Sequence, residues 1–277
     1  MASGHRCYVC AGGVVGMSKL RLLDLFSGIG GFSLGLERTG GFDTVAFCEI
    51  EPFPRRVLAK HWPEVPCYGD IRTLNAATLH RDGIEIDAIC GGFPCQDVST
   101  AGVRAGLAGE RSGLWGEYLR LIGELRPRVV FVENVTGLLS LGMGTVLGDL
   151  AEIGYDAHWD VISAEALGAC HKRERVWITA YPLRIGQQGQ GRSIKSSNPA
   201  TAEYREIDRT EHVLGWPTKP AIRRGDDGVS RKLDRSRLKA LGNAVVPQIP
   251  ELLGRAYLES IGEASFCALY AGAGWLA

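Results

Sequence analysis

The chain has 277 residues, 45% of them hydrophobic and 22% charged, with 31 Lys plus Arg against 31 Asp plus Glu. That length buries one substantial core, and a formal net charge of zero gives the body as a whole no attraction to polyanions. No segment is long enough to span a bilayer without a charge, and the first sixteen residues lack the charged-then-apolar order of a secretory signal, so a cytoplasmic protein without membrane contact is expected.

Residues 1–18 read as an extension ahead of the fold, with Met17 as an alternative start. Cys7 and Cys10 form a C-x-x-C with no second pair nearby to complete a tetrahedral zinc site, so no metal is expected. The eight cysteines are irregularly spaced, and Cys48 and Cys90 sit in apolar runs, which suits buried thiols in a reducing compartment. Leu20 to Phe26 is an apolar run ending at the glycine-rich turn Ser27-Gly28-Ile29-Gly30-Gly31. A helical pattern follows through Phe32, Leu34 and Leu36. Thr44 to Glu49 reads as a second strand, 52–61 as its helix, and Tyr68 to Ile71 as a shorter third strand. Ile86 to Gly91 and Val129 to Glu133 are further strands, separated by a helix near 116–125. Tyr155 to Ser163 and Arg175 to Tyr181 add two more. The alternation predicts an α/β fold with a mostly parallel sheet covered on both faces.

After Pro182 the sequence becomes glycine-, glutamine- and serine-rich, and order is expected to return at Leu238, with a helix from Gln248 to Ser260 packing back on the main domain. Residues 19–182 and 238–262 would then form the main domain, 183–237 an excursion from it, and 263–277 a tail. No internal repeat is visible. Arg184 to Lys239 holds thirteen Lys or Arg against seven Asp or Glu, a local charge of +6. A basic segment on a neutral body is expected where one face meets phosphates, and a solvated polar insertion is the alternative.

The strand tips carry the chemistry. Gly92-Phe93-Pro94-Cys95-Gln96 places a cysteine, stiffened by the preceding proline, at the C-terminal tip of an apolar run. Glu133-Asn134-Val135 delivers a carboxyl group 38 residues later, at the tip of another strand. Neighbouring tips of a parallel sheet are where ligands bind. A nucleophile and an acid facing one crevice suit attack on an electron-poor ring whose nitrogen is protonated as the bond forms.

A glycine-rich turn between strand and helix is weak evidence alone. Asp24, just before it, would repel a pyrophosphate. Glu49 ends the second strand, where ribose hydroxyls are bound, and Asp70 ends the third, where an acceptor takes an adenine amino proton. These positions suit an adenosine without phosphates and with a cationic amino-acid tail, which is S-adenosylmethionine. NAD is the alternative.

Asp24-Leu25-Phe26-Ser27-Gly28-Ile29-Gly30-Gly31, Gly92-Phe93-Pro94-Cys95-Gln96, Glu133-Asn134-Val135, Arg173-Glu174-Arg175 and Gly242-Asn243-Ala244-Val245-Val246-Pro247 together resemble, in order, the cytosine-C5 DNA methyltransferases, over about Leu20 to Ile261. The resemblance implies a Rossmann-like, S-adenosylmethionine-dependent methyltransferase with a small inserted target-recognition segment, acting on cytosine in double-stranded DNA. It implies that Cys95 adds to cytosine C6 and that Glu133 contacts N3 and the exocyclic amine. Arg173 and Arg175 would orient the ring. Asp24, Phe26, Gly28, Gly30, Gly31, Glu49, Ile50, Asp70, Ile71, Pro94, Asn243 and Val245 match cofactor-contacting positions. Ser99 falls on the loop that closes over the extruded base, with Arg104 on it and Arg111 to Trp115 at its end. Gly102, Gly106, Gly109 and Gly113 suit that closure. Arg184, Arg192, Lys195, Arg205, Arg209, Arg223 and Arg224 offer cations for phosphates.

The sequence departs from the family's pattern at His171, where glutamine is common, and in the short 183–237 segment. The implied setting is a restriction–modification system, with a cognate endonuclease as its counterpart and no obligate protein partner, or a phage protecting its DNA. A relative that binds DNA or S-adenosylmethionine without turnover, and a tRNA methyltransferase of the same fold, are the alternatives.

Overall fold

The structure is a computed structural model that describes residues 18–94, 113–169, 171–183 and 231–271; for 231–235, 238 and 262–271 it describes the backbone alone. The described strands are β1 (Leu20–Leu25), β2 (Phe42–Cys48), β3 (Cys67–Tyr68), β4 (Ala88–Gly91), β5 (Val129–Val135), β6 (Tyr155–Ser163) and β7 (Glu174–Pro182). They form one sheet in the order β3-β2-β1-β4-β5-β7-β6. The first five run parallel, while β7 is antiparallel to both β5 and β6. The expected mostly parallel sheet is present, and its antiparallel edge is set by a connection of about ten residues between β6 and β7, too short for a crossover helix.

The described helices are α1 (Gly31–Arg38), α2 (Pro52–His61), α3 (Ala76–Arg81), α4 (Leu114–Leu125), α5 (Leu138–Leu141), α6 (Met143–Glu152), α7 (Arg231–Asn243) and α8 (Gln248–Ala271). Side chains alternate across the sheet: Leu20 and Leu22 of β1 join one core cluster with Phe32, Leu36 and Ile249, while Leu23 and Leu25 join another with Tyr118, Ile122, Val146 and Leu150. So α1 and α8 cover one face, and α4 and α6 the other. Pro52 starts α2 at a position where its missing N–H costs nothing. Asn75 caps α3 by accepting from Thr78 N at 2.9 Å.

Several boundaries differ from the sequence reading. The third strand is only Cys67–Tyr68, which leaves Asp70 and Ile71 in the turn after it. Helix α7 begins at Arg231 rather than Leu238, because its Arg, Lys and Leu residues favour helix without supplying an apolar stripe. Helix α8 continues past Ser260 to Ala271 through Ala-, Leu- and Glu-bearing sequence, so the tail proposed from residue 263 is helical over most of its length. The first helical turn of α1 is reached through Gly28 (φ 53°) and Gly30 (φ 84°), left-handed conformations that glycine adopts without penalty.

Candidate active site

The tips of β1, β2, β4 and β5 point to one end of the sheet. Asp24, in the penultimate position of β1, is 1% exposed; its Oδ2 accepts from Ser33 Oγ at 2.7 Å and Ser33 N at 3.3 Å. Burial pushes its carboxyl up to about 7, opposed by the Ser33 bonds and by the Cys90 thiol on the neighbouring strand. Ser27 Oγ donates to Asp24 O at 2.5 Å and accepts from Cys48 N at 3.3 Å, pinning the turn between β1 and β2.

Glu49, 8% exposed, is held by two backbone donors: Gly28 N to Oε2 at 2.8 Å and Glu51 N to Oε1 at 2.7 Å. Its carboxylate therefore staples the β2 tip to the glycine-rich turn, and each oxygen keeps a lone pair for a further donor. Ile50 beside it is 63% exposed. Asp70 accepts from Arg72 N at 3.0 Å. Ile71 is 4% exposed and packs into the core, and its carbonyl accepts from Arg120 at 3.0 Å.

Asp24, Phe26, Ser27, Gly28, Phe32, Gly92, Glu133, Asn243, Ala244 and Val245 line a cleft. Five of the expected cofactor positions (Asp24, Phe26, Gly28, Asn243, Val245) thus meet the expected acid. Gly31 lies directly beneath Val245, where a Cβ would come 2.5 Å from the Val245 carbonyl oxygen. Gly30, Glu49, Ile50 and Asp70 belong to the adjoining turn and strand tips, outside that lining.

On the β5 side, Glu133 Oε1 lies 2.9 Å from Arg175 Nε. Burial raises the Glu133 carboxyl above its ordinary range, and the charges of Arg175 and Arg173 hold it down. A Cβ at Gly92 would stand 2.8 Å from Glu133 Oε2, so the acid lies against bare backbone. Asn134, 4% exposed, donates from Nδ2 to Phe93 O at 3.0 Å. The Phe93 ring is buried against Trp115 at 5.1 Å between centroids. These two contacts fix the chain immediately before Pro94, which is exposed. Sequence reasoning assigned no part to Asn134 beyond its motif, and none to Ser33 or Phe32. Only the spacing of Glu-Asn-Val to the cysteine motif pointed to Asn134.

The two arginines separate. Arg175 pairs with Glu133, whereas Arg173 sends Nη1 to Gly242 O at 2.8 Å and Nη2 to Ala244 O at 2.6 Å. Cys95, Ser99, Arg104, Arg111, Arg184, Arg192, Lys195, Arg205, Arg209, Arg223 and Arg224 lie outside the described residues. Among the described residues no helix is long and apolar enough to cross a membrane, and no cluster of three metal-binding side chains occurs.

The model of the family described as C-5 cytosine-specific DNA methylase matches residues 20–215. The type II methylase M.HgiEI of Herpetosiphon aurantiacus is 30% identical over 240 residues, covering 84% of this chain and 51% of that protein. The type II methyltransferase M.HhaI of Haemophilus parahaemolyticus is 34% identical over 169 residues, covering 60% of this chain and 50% of that protein. The chain thus spans about half the length of these relatives. Among solved structures, a DNA modification methyltransferase encoded within an E. coli prophage superposes with a TM-score of 0.50 at 28% identity, over 59% of this chain and 47% of that one. The Spodoptera frugiperda DNMT2 mutant gives 0.51 at 20% identity, over 63% and 54%, a likeness of fold.

Proposed function

Because the chain belongs to the C-5 cytosine-specific DNA methylases, we propose that it methylates C5 of cytosine in double-stranded DNA, using S-adenosylmethionine. The observation that carries this reading is the Glu133–Arg175 pair, set 2.9 Å apart, with Glu133 against Gly92, which precedes Cys95 by three residues in sequence.

The cleft suits that cofactor better than a dinucleotide. Among the described residues its lining contains two carboxyl groups, Asp24 and Glu133, and neither lysine nor arginine. The Gly28 N–H, which a pyrophosphate would need, is already committed to Glu49. A cationic, phosphate-free ligand fits this polarity. Asp24, Phe26, Gly28, Asn243 and Val245 would hold it, with Glu49, Ile50 and Asp70 at the adjoining tips. S-adenosylmethionine, when bound, supplies an electrophilic methyl group.

The chain's own residues would prepare the pyrimidine. Carbon 5 of cytosine is a weak nucleophile until C6 bears a substituent, so covalent catalysis is required. Cys95 Sγ would bond to C6, and the displaced electron pair would be delocalised between N3 and C5. Glu133, buried and raised, would share its proton with N3. Once C5 is methylated, loss of its proton restores the C5–C6 double bond and expels Cys95 as thiolate. Arg175 would keep Glu133 in position and add positive potential, which also favours the thiolate. Extrusion of the base from the duplex costs a few kcal/mol, offset by contacts in the site.

Transfer of tritiated methyl groups to unmethylated duplex DNA tests the proposal. Incorporation into DNA and not tRNA is expected. Folded protein that binds S-adenosylmethionine and labels neither would point to a binding relative, and labelling of tRNA alone would move the activity to RNA. The type II methyltransferase relatives favour a restriction–modification setting.

A further inference from the structure

The basic pair of Arg173-Glu174-Arg175 is divided between two tasks. We propose that Arg173 is a positioning residue for the cofactor wall of the cleft, holding Gly242 to Val245 in place, rather than a group that acts on the pyrimidine. The inference rests on the methyltransferase reading above for the identity of the ligand, and on geometry for the rest.

Gly242 and Ala244 lie at the C-terminal end of α7, where helix carbonyls lack partners from their own helix and carry partial negative charge. Arg173 answers both needs with a fork: Nη1 reaches Gly242 O at 2.8 Å and Nη2 reaches Ala244 O at 2.6 Å. The carbonyls flank Asn243, and Asn243, Ala244 and Val245 line the cleft together with Asp24 and Phe26. A planar guanidinium meets two such acceptors with N–H groups from two nitrogens in a fixed fork, whereas the three donors of a lysine ammonium radiate from one nitrogen on a flexible stem. Arg173 also has φ 33°, a left-handed conformation that non-glycine residues rarely adopt and that the surrounding contacts must hold.

From the other side the same segment is pressed onto the glycine-rich helix. The Val245 carbonyl oxygen lies 2.5 Å from where a Gly31 Cβ would stand, and the Pro247 carbonyl oxygen 2.2 Å from where a Gly35 Cβ would stand. The wall is therefore clamped between α1 and Arg173. Arg175, meanwhile, engages Glu133. Loss of Arg173 should free the wall and leave the acid in place.

The test is calorimetric binding of S-adenosylmethionine to the full chain without DNA, for wild type, Arg173→Ala, Arg173→Lys and Arg175→Ala. Two charge-assisted hydrogen bonds at a cleft wall predict a roughly 10- to 100-fold weaker dissociation constant for Arg173→Ala. Arg173→Lys should recover part of it, and Arg175→Ala should bind as wild type does. In turnover, Arg173→Lys should raise KM for the cofactor more than it lowers kcat. Circular dichroism checks that each variant is folded, and if Arg173→Ala is not, the lysine variant alone decides by the same KM-against-kcat split. Arg173 variants that bind the cofactor like wild type and lose only kcat would overturn the inference and return Arg173 to the base. Wild type that binds the cofactor yet methylates nothing would sink the functional reading and leave the inference standing. Wild type that does not bind S-adenosylmethionine would overturn both.

Discussion

Asn134 Nδ2 donates to the Phe93 carbonyl at 3.0 Å, so the strand that carries Glu133 also holds the backbone one residue before Pro94. Glu133 and the backbone at Phe93 are thereby tied to one frame, since Asn134 follows Glu133 directly on β5. Removing the amide in Asn134→Ala leaves a buried carbonyl unpaired, at a cost of about 1–3 kcal/mol. The expected result is a lower urea midpoint together with a kcat reduced roughly 10- to 100-fold, since small misplacement of reacting groups is costly. A variant with full turnover would show that the bond has no part in placing the nucleophile.

Glu133 should control the alkaline side of the rate profile. Its carboxyl is raised by burial and held down by Arg175 and Arg173. If the protonated form serves N3, the rate is full below the folded-state value and falls as pH rises through it. Arg175→Ala withdraws the cation that most favours the charged form, which moves that fall to higher pH even as the maximum rate drops. Glu133→Gln should lose about 100-fold or more in kcat, within the span of general acid catalysis. Single-turnover rates across pH measure both. An unshifted alkaline limb in Arg175→Ala would dissociate Arg175 from the acid's titration.

What could be read from the chain before its fold was known follows the reach of each signal. Strands β1, β2, β4 and β5 are short apolar runs ended by glycine or acid, and their tips were legible because the motifs sit there. Helices α3, α5 and α6 were not anticipated: α3 and α5 have six and four residues, too short for a periodic stripe, and α6 is interrupted by Gly144 and Gly148. The antiparallel β7 depends on pairing partners, which periodicity does not encode. In the site, residue types were readable while their hydrogen-bond partners were not. Glu49 is read from the sequence as a ribose acceptor, and its bonds to Gly28 N and Glu51 N are not legible there. Arg173 was expected beside the base and reaches a helix end more than 60 residues away in sequence.

Cys95 can be tested independently of its surroundings. Cys95→Ser should bind S-adenosylmethionine as wild type does, because it exchanges one sulfur for oxygen and leaves the described cleft lining unchanged, and should transfer no methyl group. Duplex DNA containing 5-fluorocytosine should trap wild type as an adduct stable to denaturation, because fluorine cannot leave C5 as a proton does. Electrophoresis under denaturing conditions detects it. Turnover by the serine variant, or no adduct with active wild type, would exclude the covalent route.

Asp24 makes the fold sensitive to pH in a direction opposite to most paired carboxylates. Its folded value, about 7, lies above the ordinary 3.8 because burial disfavours the charge more than the Ser33 bonds favour it. The native state therefore binds the proton more tightly than the unfolded chain. The stability tied to that proton is fully present below about pH 4 and is lost as pH rises through about 7. A gap of three units corresponds to roughly 4 kcal/mol of native-state cost by pH 8. Asp24→Asn keeps an acceptor for Ser33 Oγ and removes the charge. Relative to wild type it should be nearly neutral at pH 4 and more stable by up to that amount at pH 8, measured by urea unfolding at both. The same substitution should weaken binding of a cationic cofactor at pH 8, when the wild-type carboxyl is ionised, and matter less at pH 6. Parallel stability curves for the two proteins from pH 4 to 8 would mean that Asp24 is charged throughout and that its burial is better compensated than its contacts indicate.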